Sequence, residues 1–180
     1  MRPFQRISAI TLAAAAVLSL AACGAATRVN ASLERGMDFT QYKSYTWAAD
    51  DRFSTGDPRL DNNEFFENRL RGTVEQVLGA RGFEKTSAAT AGLVIHYHAS
   101  ITQRMDVNAL DAKYGYCESC HSSIYDAGTI TLDLVDARTN KLVWRGWSDG
   151  SLDGIDSQSL IEARVDEAVT KILQKLPPRL

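Results

Sequence analysis

The sequence predicts an α+β domain: a mixed, mostly antiparallel sheet of about four strands with two helices packed on one face. Three observations predict it. Asn63–Leu78 and Ser157–Leu176 each carry apolar residues at helical spacing, so each needs a surface on which to bury one stripe. Thr129–Val135 alternates apolar and polar side chains, the pattern of a half-buried strand. The chain that follows the N-terminal signal is one domain's length, and packing both stripes on one sheet face is the arrangement with the fewest assumptions.

The first element is that signal. Arg2 and Arg6 form a short basic region, Ile7–Leu20 is apolar apart from Ser8, Thr11 and Ser19, and the run closes in Leu20-Ala21-Ala22-Cys23. The apolar run is shorter than the roughly 20 residues that a spanning helix needs. Residues 1–22 therefore read as the signal peptide of a bacterial lipoprotein. Cys23 is then the lipidation site, taking a diacylglycerol on its thiol and a further acyl chain on its new α-amino group. At about 0.8 kcal/mol per buried methylene, several chains hold permanently where one would be marginal. The alternative is a plain signal cut after an alanine, with Cys23 left as an ordinary thiol. Gly24, rather than the Asp that retains a lipoprotein at the inner membrane, points to the outer membrane of a Gram-negative cell, facing the periplasm. Residues 23–36 read as a lipid-anchored tether and residues 37–180 as a single envelope domain.

The whole chain has a formal net charge of −2, and loss of Arg2 and Arg6 makes the mature chain more acidic still. Its Lys and Arg are scattered, which excludes a phosphate-tracking nucleic-acid surface. No later segment approaches spanning length, so the membrane contact expected is the lipid alone, with an envelope protein as a further partner.

Tyr42–Trp47, aromatic and rich in β-favouring residues, predicts the first strand, and Asp57-Pro58 a break. In the first helix Phe66, Leu70, Val74, Val77 and Leu78 share one face; Gly79 and Gly82 supply its stop, and Phe83 should plug the helix end into the core. Thr86–Gly92 is a connector. Leu93–Ile101 is strand-like, with Leu93, Ile95 and Tyr97 on one face and Val94, His96 and His98 on the other. Asp106–Ala127 reads as a long surface loop. Thr129–Val135 and Leu142–Trp147 make a hairpin across the polar Asp136–Asn140 turn, and the closing helix buries Ile161, Val165, Ala168, Val169, Ile172, Leu173 and Leu176 before Pro177 and Pro178 end it.

Cys117-Glu118-Ser119-Cys120-His121 matches the spacing at which c-type haem is attached: two thiols add to the haem vinyl groups, and the histidine becomes an axial ligand. Met105, His96 or His98 could supply the opposite ligand. The surrounding segment is small and polar, a poor haem wall. A Cys117–Cys120 disulfide in an oxidising compartment, or two idle thiols, is the leading alternative. Because the loop it closes is so short, replacing both cysteines with Ser should shift the melting curve by less than about 1 kcal/mol of stability. His96, His98 and His121 with the two cysteines would be a zinc set if the segment folded back on the strand, but nothing in the sequence requires that, and no metal is expected. Trp144-Arg145-Gly146-Trp147 places its tryptophans on opposite strand faces, one in the core and the other packed under a helix or offered as an anchor. Asp50-Asp51 reads as solvated loop. No serine sits in a nucleophile elbow, and neither a P-loop nor a dinucleotide fingerprint occurs, so no catalytic residue is assigned.

Several segments together resemble the bacterial lipoprotein family called domain of unknown function 4136. They are Met37-Asp38-Phe39-Thr40-Gln41-Tyr42-Lys43-Ser44-Tyr45-Thr46-Trp47, Leu93-Val94-Ile95-His96-Tyr97-His98, Gly128-Thr129-Ile130-Thr131-Leu132-Asp133-Leu134-Val135-Asp136, Leu142-Val143-Trp144-Arg145-Gly146 and the closing Leu176-Pro177-Pro178. The resemblance runs from about residue 30 to 178 and implies a lipid-anchored envelope protein with a mixed α/β domain and no established activity. It supplies no catalytic residues, and the Cys117–His121 motif falls where such proteins vary. The function expected is thus a non-catalytic binding or structural role without a cofactor; the alternative is a mono-haem c-type electron-transfer lipoprotein.

Overall fold

The computed structural model describes residues 27–49, 55, 57–105 and 124–178. In chain order these form β1 (Arg28–Leu33), a 3-10 turn (Phe39–Gln41), β2 (Ser44–Trp47), α1 (Glu64–Ala80), β3 (Glu84–Lys85), β4 (Leu93–Met105), β5 (Ile124–Asp136), β6 (Leu142–Ser151) and α2 (Gln158–Gln174). The strands make one sheet in the order β1-β6-β5-β4-β2-β3. The β1–β6, β6–β5 and β5–β4 pairs are antiparallel, and β2 runs parallel to both β4 and β3. The class is therefore α+β with a mixed, mostly antiparallel sheet, as expected.

The strand count is corrected from about four to six. β1 lies inside residues 23–36, the stretch read as a tether, and all but one of its side chains are exposed. It is a strand because its backbone completes the hydrogen-bond ladder of β6, which requires no apolar alternation. β3 is two residues long, too short for any pattern to register. The strands around the expected long loop also run further than the alternation does, since β4 reaches Met105 and β5 starts at Ile124.

Both helices form where their stripes predict. Asn63 caps α1, its Oδ1 accepting from Phe66 N–H at 3.0 Å, and Glu64 and Glu67 sit in the first turn, where the helix dipole favours negative charge. α1 closes through Gly82, at φ +79°, with Phe83 N–H donating to Leu78 O at 3.0 Å. This delivers Phe83 into the core, where it meets Phe39 edge to face. Ser157 caps α2. At the other end of α2, the Arg81 guanidinium donates to the carbonyls of Leu173, Leu176 and Pro177 at 2.5, 2.9 and 2.9 Å. A cation on those carbonyls ties the two helices together at their C-terminal ends.

The core lies between the helices and one sheet face, where Leu70, Val74, Leu78, Val169, Ile172 and Leu173 meet Leu93, Ile95, Leu132, Leu134 and Trp144. Leu134 pairs with Trp144 but Val135 with Leu142, so Val143 is an extra residue, a β-bulge. The bulge explains how two successive residues of β6, Val143 at 0% and Trp144 at 1% exposure, are both buried. No helix among the described residues is long and apolar enough to cross a membrane.

Candidate functional site

Along the helix-facing side of the sheet, large residues give way to small ones. Ile95, Leu132, Leu134 and Trp144 lie under the helices, whereas toward the helix N-termini the same face carries Ala99, Gly128, Ser148 and Gly150 around Ile130. The helices bridge this drop in height and leave a cavity of about 610 Å³ beneath their first turns. Its floor comes from β4, β5 and β6, and its walls from Phe66 on α1, Val165 and Ala168 on α2, and Leu152 and Ile155 in the segment between β6 and α2. Gly128 allows this segment to lie close, since a Cβ there would stand 3.0 Å from the Leu152 side chain. Thr27, immediately before β1, also lines it. Ile124 and Ile161 form part of the lining while remaining exposed, so the cavity opens to the surface at that end.

Charge at the site is internally answered. Arg59 donates to Asp57 through Nε at 2.9 Å and Nη2 at 2.6 Å, and to Asp126 through Nη1 at 2.6 Å. Hydrogen bonds from Arg59 hold the Asp57 carboxyl below its ordinary range, and those two carboxylates in turn raise the arginine above its own. Arg164 donates to Thr27 Oγ1 at 2.8 Å and lies 3.8 Å from Glu167. Ser148 differs. It is 3% exposed, lines the cavity, and its hydroxyl has no hydrogen-bond partner among the described residues. A buried hydroxyl left unpaired is costly, and a ligand acceptor would relieve it.

The opposite, helix-free face carries the residues that the sequence singled out. His96 and His98 share it, as alternation predicts, beside Asp133, Arg145 and Trp147 of the neighbouring strands. Asp133, 5% exposed, accepts from Arg145 Nε and Nη2, each at 2.6 Å, and His98 Nε2 lies 3.8 Å from its Oδ2. This is an ion pair laid across the sheet. Among the described residues no group of three or more His, Cys, Asp or Glu is placed to hold a metal. Trp144 is the core tryptophan, and Trp147, on the helix-free face, is half-buried beside β1 rather than packed under a helix. Met105 ends β4 half exposed. Cys23, Cys117, Cys120 and His121, with Asp50 and Asp51, lie outside the described residues. The cavity was missed in the sequence. Its one local trace is the coincidence of small residues on three strands, Ala99, Gly128, and Ser148 with Gly150.

The fold and its cavity define a single α+β module with room for a small ligand. The chain belongs to the family Domain of unknown function (DUF4136), whose model matches residues 29–178. No curated protein matches it. Among solved structures it is similar to a PDZ domain protein from Parabacteroides distasonis, with 13% identity and a TM-score of 0.56 over 85% of this chain; it spans only 36% of that protein's length. It is also similar to the PelC dodecamer protein of Paraburkholderia phytofirmans, with 11% identity, a TM-score of 0.51, and 86% and 100% of the two chains covered. A DUF4136 family protein from Bacteroides thetaiotaomicron aligns at 13% identity and TM-score 0.48, covering 81% of this chain and 95% of the other. At these identities the likeness to the first two speaks for the fold alone.

Proposed function

We propose that this chain is a lipid-anchored protein of the cell envelope with a non-catalytic binding role, held at the outer membrane through Cys23 and facing the periplasm. The observation that carries the binding role is the cavity under the helix N-termini, mostly apolar in its walls and holding the buried hydroxyl of Ser148, which has no hydrogen-bond partner among the described residues. Its volume is in the range of small-ligand sites, roughly 300–1,000 Å³. No hydrogen bond among the described residues joins Ser148 to a base, and the histidines of β4 project from the other face of the sheet. Such a site holds a ligand without activating a nucleophile. The Leu20–Cys23 motif supports the anchor.

Fractionation of cells expressing the wild type and Cys23→Ala tests the anchor. The wild type is expected with outer membranes and the variant in the soluble fraction. A variant that still sediments with membranes overturns lipidation at Cys23, and wild type recovered with inner membranes overturns the sorting. If the purified wild type is red and keeps its colour on denaturation, covalent haem at Cys117 and Cys120 replaces the cofactor-free reading.

A further inference from the structure

The lining of the cavity narrows the class of ligand. Its charged members are Arg59 and Arg164 against Asp126, Asp153 and Asp156, and both arginines already have oxygen partners. Among the described residues both cations of the lining are thus engaged, and an anionic head would meet a net negative lining. The interior instead offers apolar wall from Phe66, Ile130, Val165 and Leu152, a floor lowered by glycines, and, among the hydroxyls of its lining, the buried one of Ser148 as a donor. A long apolar chain beginning at an uncharged hydrogen-bond acceptor answers each of these features.

Position adds a second argument. Thr27 lines the cavity and follows Cys23 by four residues, so a lipid carried on Cys23 starts within about 14 Å of the cavity wall. If Cys23 is the anchor, the Thr27 wall of the cavity lies close to the membrane surface.

We infer that the cavity binds the acyl chain of an uncharged lipid ester, with the ester carbonyl accepting a hydrogen bond from Ser148 Oγ. The inference deepens the binding reading above and rests on it. Two sources carry this chemistry: the ester-linked chains of the protein's own Cys23 lipid, and the lipids of the membrane beside it.

The test uses the full chain carrying Cys23→Ala and a fluorescent monoacylglycerol series, octanoyl to hexadecanoyl, with free hexadecanoic acid as the anionic control. Affinity is expected to rise about fourfold per added methylene until the cavity is full. The ester should bind at least tenfold more tightly than the free acid. Ser148→Ala should weaken ester binding about fivefold. It should also raise the melting temperature of the ligand-free protein, because it removes an unpaired buried hydroxyl. Ala99→Phe, which fills the floor, should abolish binding. Affinity independent of chain length, preference for the free acid, or binding unchanged by both substitutions overturns the inference. Should Ala99→Phe fail to fold, the chain-length series on Cys23→Ala decides alone. Wild-type protein identifies the source: if it refuses the probe that Cys23→Ala accepts, its own lipid fills the cavity, and if both bind equally, the ligand is a membrane lipid. The intact mass of the wild type separates the two readings, since the absence of acyl mass on Cys23 overturns the anchor and leaves the chain-length result standing.

Discussion

Trp144→Ala is expected to lower stability by about 3–5 kcal/mol, the cost of emptying a large, fully enclosed core site. The indole fills the space above its own strand: a Cβ built on Gly146 would stand 2.3 Å from Trp144 Cη2, 2.7 Å from its Cζ2 and 2.6 Å from Ile172 Cγ2. Gly146 is thus required by packing, because its missing side chain lets the indole and α2 close over β6. Gly146→Ala should cost about 2–3 kcal/mol by forcing apart a packed core. The two positions share one volume, so their costs should not add. With Trp144 already Ala, two of the three closest approaches to the new methyl of Gly146→Ala are gone and that to Ile172 remains, so the double variant should lose less than the sum of the singles. Denaturant unfolding of all three variants measures this. Strictly additive midpoint shifts at constant slope would show that the indole does not occupy the space over Gly146.

Asp136→Ala should cost about 3 kcal/mol, as one carboxylate organises two distant segments. It accepts from Tyr42 Oη at 2.8 Å, from Arg138 N–H at 3.0 Å, and from the backbone and hydroxyl of Thr139 at 2.7 and 2.9 Å. It therefore shapes the β5–β6 turn, in which Asn140 takes φ +55°, and pins the segment before β2 to that turn. Truncation also leaves the buried Tyr42 hydroxyl with the weak sulfur acceptor of Met37, at 3.5 Å, in place of a carboxylate. Burial pushes the Asp136 carboxyl upward, but its hydrogen bonds together outweigh this and hold it below the ordinary value of 3.8. A carboxyl depressed in the folded state contributes stability above its unfolded value, and this is lost as pH falls through the folded one. The acid limb of the stability curve below about pH 4 should therefore be shallower in Asp136→Asn. The alkaline limb has the opposite origin. Burial, then the bond to Asp136, pushes Tyr42 up to about 12, and burial, then the charge of Glu75, does the same for Tyr45. Their contribution is complete below pH 10 and falls away as pH rises through about 12. Tyr42→Phe should remove part of that decline and leave the share due to Tyr45. An alkaline limb unchanged by Tyr42→Phe would mean that this phenol is not held protonated by the fold.

Much of this architecture was legible before any coordinates. The Phe66–Leu70–Val74 stripe, the Val165–Val169–Ile172 stripe and the Thr129–Val135 alternation each report locally which side of an element is buried, because helix and strand periods place side chains at known angles. The strand segments, with Met37–Trp47 and the closing Leu176-Pro177-Pro178, also carried the family resemblance, which the match over residues 29–178 bears out. The sequence by itself therefore determined the class of fold, the helices and the central hairpin.

Only the tertiary structure decided the rest. β1 joins the sheet through backbone hydrogen bonds to β6, and those groups are identical in every residue, so Val29 and Asn30 leave no side-chain signature of their pairing. The bulge at Val143 shows itself only against the register of β5. The cavity is a difference in volume among residues as distant in sequence as Phe66, Ala99, Ser148 and Ala168, set by how far two helices stand above a floor of small side chains. Local periodicity can say that each of these residues faces inward. Whether inward-facing surfaces meet or leave space depends on how separate elements pack, and that is fixed only when the chain closes on itself.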